Sequence, residues 1–198
     1  FPGYVMPEDE TQPLIVTPIS TTATADFCAS MAMASEFYQN VDKDFANTCL
    51  AAAKKAWEFL EENPKLIFEN PEDITTGAYE DTDERYWAAM QMYRATGDES
   101  YLQNFIGSAA KTGMDWTTVG DYGNIAILTM ANPNQTMYAK AKKAVLKEAD
   151  QFVSTAKSSP YGVSVVNFNW GSNMTVANAG VILGLAYQLT DDTSYLNV

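Results

Sequence analysis

The sequence predicts an all-α protein built of helical hairpins, and three observations carry that expectation. From residue 20 onward, apolar side chains recur every three or four residues, the spacing of one helix face. Three helix-to-helix joints then share one plan: Glu36-Phe37-Tyr38-Gln39-Asn40-Val41-Asp42-Lys43-Asp44-Phe45, Met92-Tyr93-Arg94-Ala95-Thr96-Gly97-Asp98-Glu99-Ser100-Tyr101, and Ala186-Tyr187-Gln188-Leu189-Thr190-Asp191-Asp192-Thr193-Ser194-Tyr195. In each, a Tyr ends one helix, a turn holds Gly or Asp, and an acidic or hydroxyl residue caps the next helix. An aromatic in that helix's first turn is expected to fold back onto the Tyr. Finally, two long irregular stretches, 64–80 and 158–173, fall between hairpins rather than within them. Repeated hairpins must stack to bury their faces, which leaves an open solenoid or a closed ring. The long loops would then gather at the end opposite the tight joints, where function usually sits.

Residues 1–19 carry four prolines, Pro2, Pro7, Pro13 and Pro18, and read as an extended lead-in. Ser20 or Thr21 can cap a first helix to about Gln39, with Ala25, Met31, Ala32, Phe37 and Tyr38 as buried candidates. Asp42 or Asp44 opens a second through Phe45, Cys49, Ala52, Ala53, Trp57 and Leu60, which proline stops at Asn63-Pro64. Further helices are expected near 82–96, 99–112, 120–131, 136–157 and 174–190, with an eighth beginning at Ser194-Tyr195-Leu196.

Composition narrows the chemistry. Twelve Lys and Arg against twenty-five Asp and Glu give a net charge of -13, which repels nucleic acid and anionic membranes. No apolar run approaches the ~20 residues needed to span a bilayer, and the opening Phe1-Pro2-Gly3 has none of the character of a signal peptide. The absence of histidine removes serine triads, Cys–His dyads and imidazole acid–base work. Cys28 and Cys49 sit in Ala-rich helical patterns and read as core thiols rather than as a bridge.

At the loop end, Tyr79, Trp116, Tyr122, Tyr161, Phe168 and Trp170 stand beside Asp81, Asp83, Asp121, Asn169 and Asn173. Aromatic faces stack on the C–H faces of sugar rings while Asp and Asn take the hydroxyls, so the mixture suits an uncharged polysaccharide; the competing reading is ordinary packing. Trp170, between Asn169 and Gly171, is poorly placed to be hidden. Asp81-Thr82-Asp83-Glu84 reads either as a capping box or as a hard-cation site completed by carbonyls from Gly77 to Glu80. The Asp191-Asp192 doublet reads as a turn and cap.

Several segments together resemble glycoside hydrolase family nine cellulases. They are Thr17-Pro18-Ile19-Ser20-Thr21-Thr22-Ala23-Thr24-Ala25-Asp26-Phe27, Ala51-Ala52-Ala53-Lys54-Lys55-Ala56-Trp57, Gly77-Ala78-Tyr79 leading to Asp83-Glu84-Arg85-Tyr86-Trp87-Ala88-Ala89, Tyr161-Gly162-Val163, and Trp170-Gly171-Ser172-Asn173. The opening Phe1-Pro2-Gly3-Tyr4-Val5-Met6-Pro7-Glu8 is similar to clostridial members with an immunoglobulin-like module before the catalytic domain. The resemblance implies a ring of six helical hairpins, the (α/α)6 barrel, incomplete in this chain, with residues 1–198 a central portion of one catalytic domain. It implies a secreted enzyme hydrolysing β-1,4-glucan with inversion, whose Asp base and Glu acid lie outside this chain. Asp121-Tyr122-Gly123 is only superficially like the family's aspartate segment and is not given the base's role. The resemblance places Trp170, Trp116 and Tyr79 in the substrate cleft, and a calcium ion at Asp83 and Glu84 with carbonyls near Tyr79 and Glu80 and with Asp121. The partners it implies are a cellulose or cello-oligosaccharide chain and the remainder of the domain. The alternative is a non-catalytic helical carbohydrate-binding or scaffold module. On the fragment reading, the end helices should each expose an uncovered apolar stripe, with Ala25, Met31 and Ala32 at one end and Val181, Leu185 and Ala186 at the other.

Overall fold

A computed structural model describes residues 6–11, 18–64, 66, 80–168 and 171–198. Among these, every regular element is helical: α1 (Thr21–Tyr38), α2 (Lys43–Glu62), α3 (Thr82–Thr96), α4 (Gly120–Leu128), α5 (Gln135–Ser158) and α6 (Ser172–Thr190), with short 3-10 turns at Pro7–Asp9, Glu99–Leu102 and Thr193–Leu196. Most of the 64–80 loop, including Gly77 and Tyr79, and the pair Asn169 and Trp170 lie outside the described residues.

Helix α1 starts where Ser20 Oγ accepts from Ala23 N at 3.2 Å, which settles the cap on Ser20. Thr21 is instead the first helical residue, its N–H and hydroxyl both donating to the Leu66 carbonyl at 2.9 and 3.0 Å. The buried face of α1 is Ala25, Cys28, Ala29, Ala32 and Ser35, small residues that allow α2 and α3 to approach closely. Phe37 is 74% exposed and Tyr38 41%, contrary to their expected burial. Helix α2 turns Ala46, Cys49, Ala53, Ala56, Trp57 and Leu60 inward, while Phe45 stays half-exposed. Both cysteines are free and buried, and Cys28 Sγ donates to the Ala53 carbonyl at 3.3 Å.

Helix α3 is buried nearly all round, from Tyr86 to Tyr93, because α1 flanks it on one side and α4 on another. The order of packing runs α2, α1, α3, α4, α5, α6, so the described helices form an arc whose end helices do not touch. Helix α5 bridges α4 and α6 through a stripe at four-residue spacing, Met137, Ala141, Val145, Ala149 and Val153.

The tight joints repeat in atomic detail. Asp42 accepts from Phe45 N, Asp98 from Ser100 N and Asp192 from Ser194 N, at 2.9, 2.9 and 2.8 Å. Gly97 and Asp191 make the left-handed turn, with φ of 74° and 58°. Only at the first joint does the aromatic fold back as expected, Tyr38 and Phe45 meeting edge-on at 4.7 Å. Tyr101 instead packs on Trp57 at 5.1 Å, and Tyr195 donates to Asp150 Oδ1 at 2.8 Å.

The helix expected at 99–112 is not formed. After Leu102 the chain makes irregular turns, because Lys140 of α5 inserts its ammonium among the carbonyls of Phe105, Ile106 and Ser108. A tertiary cation takes the acceptors that further helical turns would have used.

Candidate functional site

The N-terminal parts of α3, α4 and α6 meet around the segment 113–119. Val119 N donates to Asp83 Oδ2 of α3 at 2.8 Å, and Gly113 N donates to Asp121 Oδ2 of α4 at 2.7 Å. Asp121 N returns a bond to the Gly113 carbonyl at 3.1 Å. From α6, Asn178 Nδ2 donates to the Met114 carbonyl. The segment's tip carries Trp116, which is 64% exposed.

Beneath the loop runs a buried polar chain. Tyr86 Oη donates to Asn124 Oδ1 at 2.8 Å, and Asn124 Nδ2 donates both to the Lys111 carbonyl and to Asp121 Oδ1 at 2.7 Å. The glycines of Gly120-Asp121-Tyr122-Gly123 permit this closeness. A Cβ at Gly120 would lie 2.5 Å from the Lys111 carbonyl carbon, and one at Gly123 would lie 2.8 Å from the Tyr86 ring. The segment that superficially resembles a catalytic aspartate motif is thus a loop anchor. Glu148 of α5 approaches Asp121 from behind, and burial followed by the Asp121 charge and hydrogen bond pushes its carboxyl up to about 8.

A second group of carboxyls lies at α1 and α3. Burial, then the Asp83 charge, raises Asp26 to about 6. Burial also dominates at Glu84, which with Asp83 and Asp26 nearby rises to about 8. Glu84 is only 4% exposed, and its Oε2, like Asp26 Oδ1, is buried without a hydrogen-bond partner. The guanidinium next door does not neutralise them: Arg85 is spent on Asp81 Oδ2 at 2.8 Å and on the carbonyls of Leu60 and Asn63. That bond also corrects the capping box, since the Asp81 side chain turns to Arg85 and caps no helical N–H.

Hard carboxylate oxygens are the donors a calcium ion takes, and the orphaned Glu84 Oε2 fits that chemistry, with Asp83 beside it already accepting from Val119 N through Oδ2. Among the described residues, however, no three acidic side chains are grouped to hold a metal ion. Asp121 has both oxygens engaged, by Gly113 and Asn124. Of the other residues expected in the site, Glu80 is exposed, while Tyr79 and Trp170 lie outside the described residues. Tyr161 and Phe168 are exposed, and Tyr122 is partly covered by Trp87, their ring centroids 5.0 Å apart.

The model of glycosyl hydrolase family 9 matches residues 3–198. The chain belongs to this family. It is 35% identical over 209 residues to Endoglucanase D of Acetivibrio thermocellus, covering 100% of this chain and 33% of that protein. It is 30% identical to a cellodextrinase of Butyrivibrio fibrisolvens, with 97% of this chain and 39% of that one covered. The crystal structure of a metagenome-derived family 9 endoglucanase superposes with a TM-score of 0.86 at 29% identity, over 98% of this chain and 38% of the other. AaCel9A in complex with a cellobiose-like isofagomine superposes at 0.83 and 31% identity, over 97% and 39%. This family 9 chain therefore spans little more than a third of the length of the relatives it matches, and its helices are hairpins of the (α/α)6 barrel those enzymes adopt.

Within the family 9 framework, sequence reasoning passed over Asp26, Asn124, Glu148 and Asp115. Asp26 and Glu148 sit in amphipathic helices where an acid reads as solvated, and Asn124 in an apolar run where an amide reads as incidental. Asp26 and Glu148 meet their carboxyl neighbours, and Asn124 its Tyr86 donor, only across distant helices, so no local signal marks them; Asp115 is different, its partners Thr117 and Thr118 lying two and three residues on.

Proposed function

We propose that this chain is the central portion of the catalytic domain of a secreted β-1,4-glucan hydrolase acting by inversion, and that it supplies the substrate cleft with Trp116, Trp170 and Tyr79. The observation that carries the reading is the family 9 match through residues 3–198, with solved endoglucanases superposing over nearly the whole chain. The relatives' names, an endoglucanase and a cellodextrinase, favour a hydrolase over a non-catalytic carbohydrate-binding or scaffold module. The partners in this proposal are a β-1,4-glucan chain and the remainder of the domain; no helix among the described residues is long and apolar enough to cross a membrane.

Inversion needs an acid and a base roughly 6.5–9.5 Å apart with water between them. The carboxyls grouped here, Asp26 with Asp83 and Glu84, and Asp121 with Glu148, are instead packed together and largely withdrawn from solvent. This supports placing the catalytic Asp and Glu outside the chain. The purified 198-residue polypeptide should accordingly release no reducing sugar from carboxymethyl cellulose while still binding cello-oligosaccharides. Sugar release abolished by a substitution within the chain would overturn the assignment.

Calcium belongs to the same proposal, held by Asp83 and Glu84 with backbone carbonyls near Tyr79 and Glu80. When bound, it neutralises the clustered negative charge and ties α3 to the preceding loop. Its expected signature is a melting temperature that falls on chelation, with Asp83→Ala abolishing the difference. Unchanged melting in both experiments would leave protons, not a cation, as the neutralising species.

A further inference from the structure

Trp116 poses a mechanical problem. An indole that is 64% exposed is not held by burial, yet a stacking platform binds well only when its orientation is set beforehand. The base of its loop is amply fixed by Asp121 at Gly113 and Asp83 at Val119. These bonds stop short of the tip at residues 115–118.

Among the described contacts, the carboxylate of Asp115 closes the tip. Asp115 Oδ1 accepts from Thr117 N at 2.7 Å, from Thr117 Oγ1 at 3.1 Å and from Thr118 N at 2.9 Å, while Asp115 N donates to the Thr118 carbonyl at 2.8 Å. Trp116 and Thr117 are the two residues between the partners of this cycle. Partial burial works to raise the Asp115 carboxyl, but the hydrogen bonds from Thr117 and Thr118 prevail and hold it below the usual range. On the other side, the chain passes against the indole at Gly171, whose φ is 81°; a Cβ there would lie 3.3 Å from Trp116 Cζ2.

We infer that Asp115 is a positioning residue for glucan binding, fixing the Trp116 indole by closing the 115–118 turn beneath it. The inference rests on reading Trp116 as a sugar-stacking residue. It assigns Asp115 no contact with the sugar, and the effect should appear in affinity.

Titration of the 198-residue chain with cellotetraose, followed by tryptophan fluorescence, tests it. Trp116→Ala should weaken binding roughly fivefold, the equivalent of one stacking contact. Asp115→Ala should weaken it by a comparable factor with the melting temperature unchanged and the near-ultraviolet tryptophan signal altered. Asp115→Asn keeps an accepting Oδ1 and should restore most of the affinity. Asp115→Glu keeps the charge but lengthens the arm and should behave like Asp115→Ala; if Asp115→Ala fails to fold, the Asn and Glu variants carry the comparison. Wild-type affinity in Asp115→Ala or Asp115→Glu, alongside a weakened Trp116→Ala, overturns the inference and leaves the stacking reading standing. So does equal weakening by Asn and Ala. An unaffected Trp116→Ala, or no titratable binding by the wild-type chain, sinks the stacking reading and the inference with it.

Discussion

Adding one methyl group to Gly123 would bring it to 2.8 and 2.9 Å from two carbons of the Tyr86 ring, with the Trp87 backbone close behind. Neither neighbour is a flexible side-chain end, so Gly123→Ala should destabilise the chain by about 1–3 kcal/mol, as overpacking does elsewhere. Denaturant titration measures it, and an unchanged midpoint would mean that α3 and α4 can separate freely. Tyr86→Phe tests the same contact by its polarity. It strips the donor from the buried Asn124 Oδ1, which has no other described partner, and should cost about 1–3 kcal/mol despite conserving shape. Both residues could be named from the sequence, but nothing in it says that Gly123 and Tyr86 touch. Their contact follows from α3 and α4 crossing closely.

At the scale of elements, α4 and α5 are joined across Asp121 and Glu148. Glu148 titrates at about 8 here against an ordinary value of 4.5, so between those two pH values the folded chain holds a proton that the unfolded chain has released. Stability from this group therefore falls as pH rises from about 4.5 to about 8. Glu148→Gln mimics the protonated form and should flatten that part of the melting-temperature profile. A variant whose profile kept the wild-type slope would place the pH dependence elsewhere, for example at Glu84. The other element-scale outcome is the segment after Leu102. Its composition is helical in pattern, but Lys140 competes for its carbonyls. Replacing that cation by Met should loosen residues 103–108, seen as faster amide exchange confined to that segment and to the adjoining face of α5.

At the scale of the whole molecule, the described helices form an arc that leaves apolar side chains exposed. Phe27, Met33 and Phe37 of α1 are exposed, and with Trp87, Tyr122 and Ile125 the last two line a groove of about 370 Å3 whose polar wall is the Arg94–Glu36 pair at 2.8 Å. The expectation of exposed apolar stripes thus holds in kind but not in detail. Ala25 and Ala32 are buried against α2 and α3, Leu185 and Ala186 pack inward, and only Val181 of the residues named for the far end is exposed. Contiguous apolar surface of this sort drives association. The isolated chain should show concentration-dependent size-exclusion behaviour and bind a hydrophobic dye, with Phe37→Ser reducing both. A compact monomer at micromolar concentration that binds no dye would show that this face needs no cover.

The sequence by itself determined what depends on local spacing and residue chemistry. Six of the seven expected full helices fall within a few residues of their predicted ends, Ser20 and the Asp42, Asp98 and Asp192 caps are where hydroxyl and carboxylate chemistry puts them, and the family's motifs are legible in order. The tertiary structure decided whatever depends on groups distant in the chain. It assigned Asp121 to the Gly113 loop, Arg85 to Asp81, Leu60 and Asn63, and Glu84 to a buried cluster with Asp26, and it dissolved the helix at 99–112 around Lys140. The reason is physical: a helical period reports which face is apolar, whereas the protonation and partner of a buried polar group are set by whichever helix packs over it.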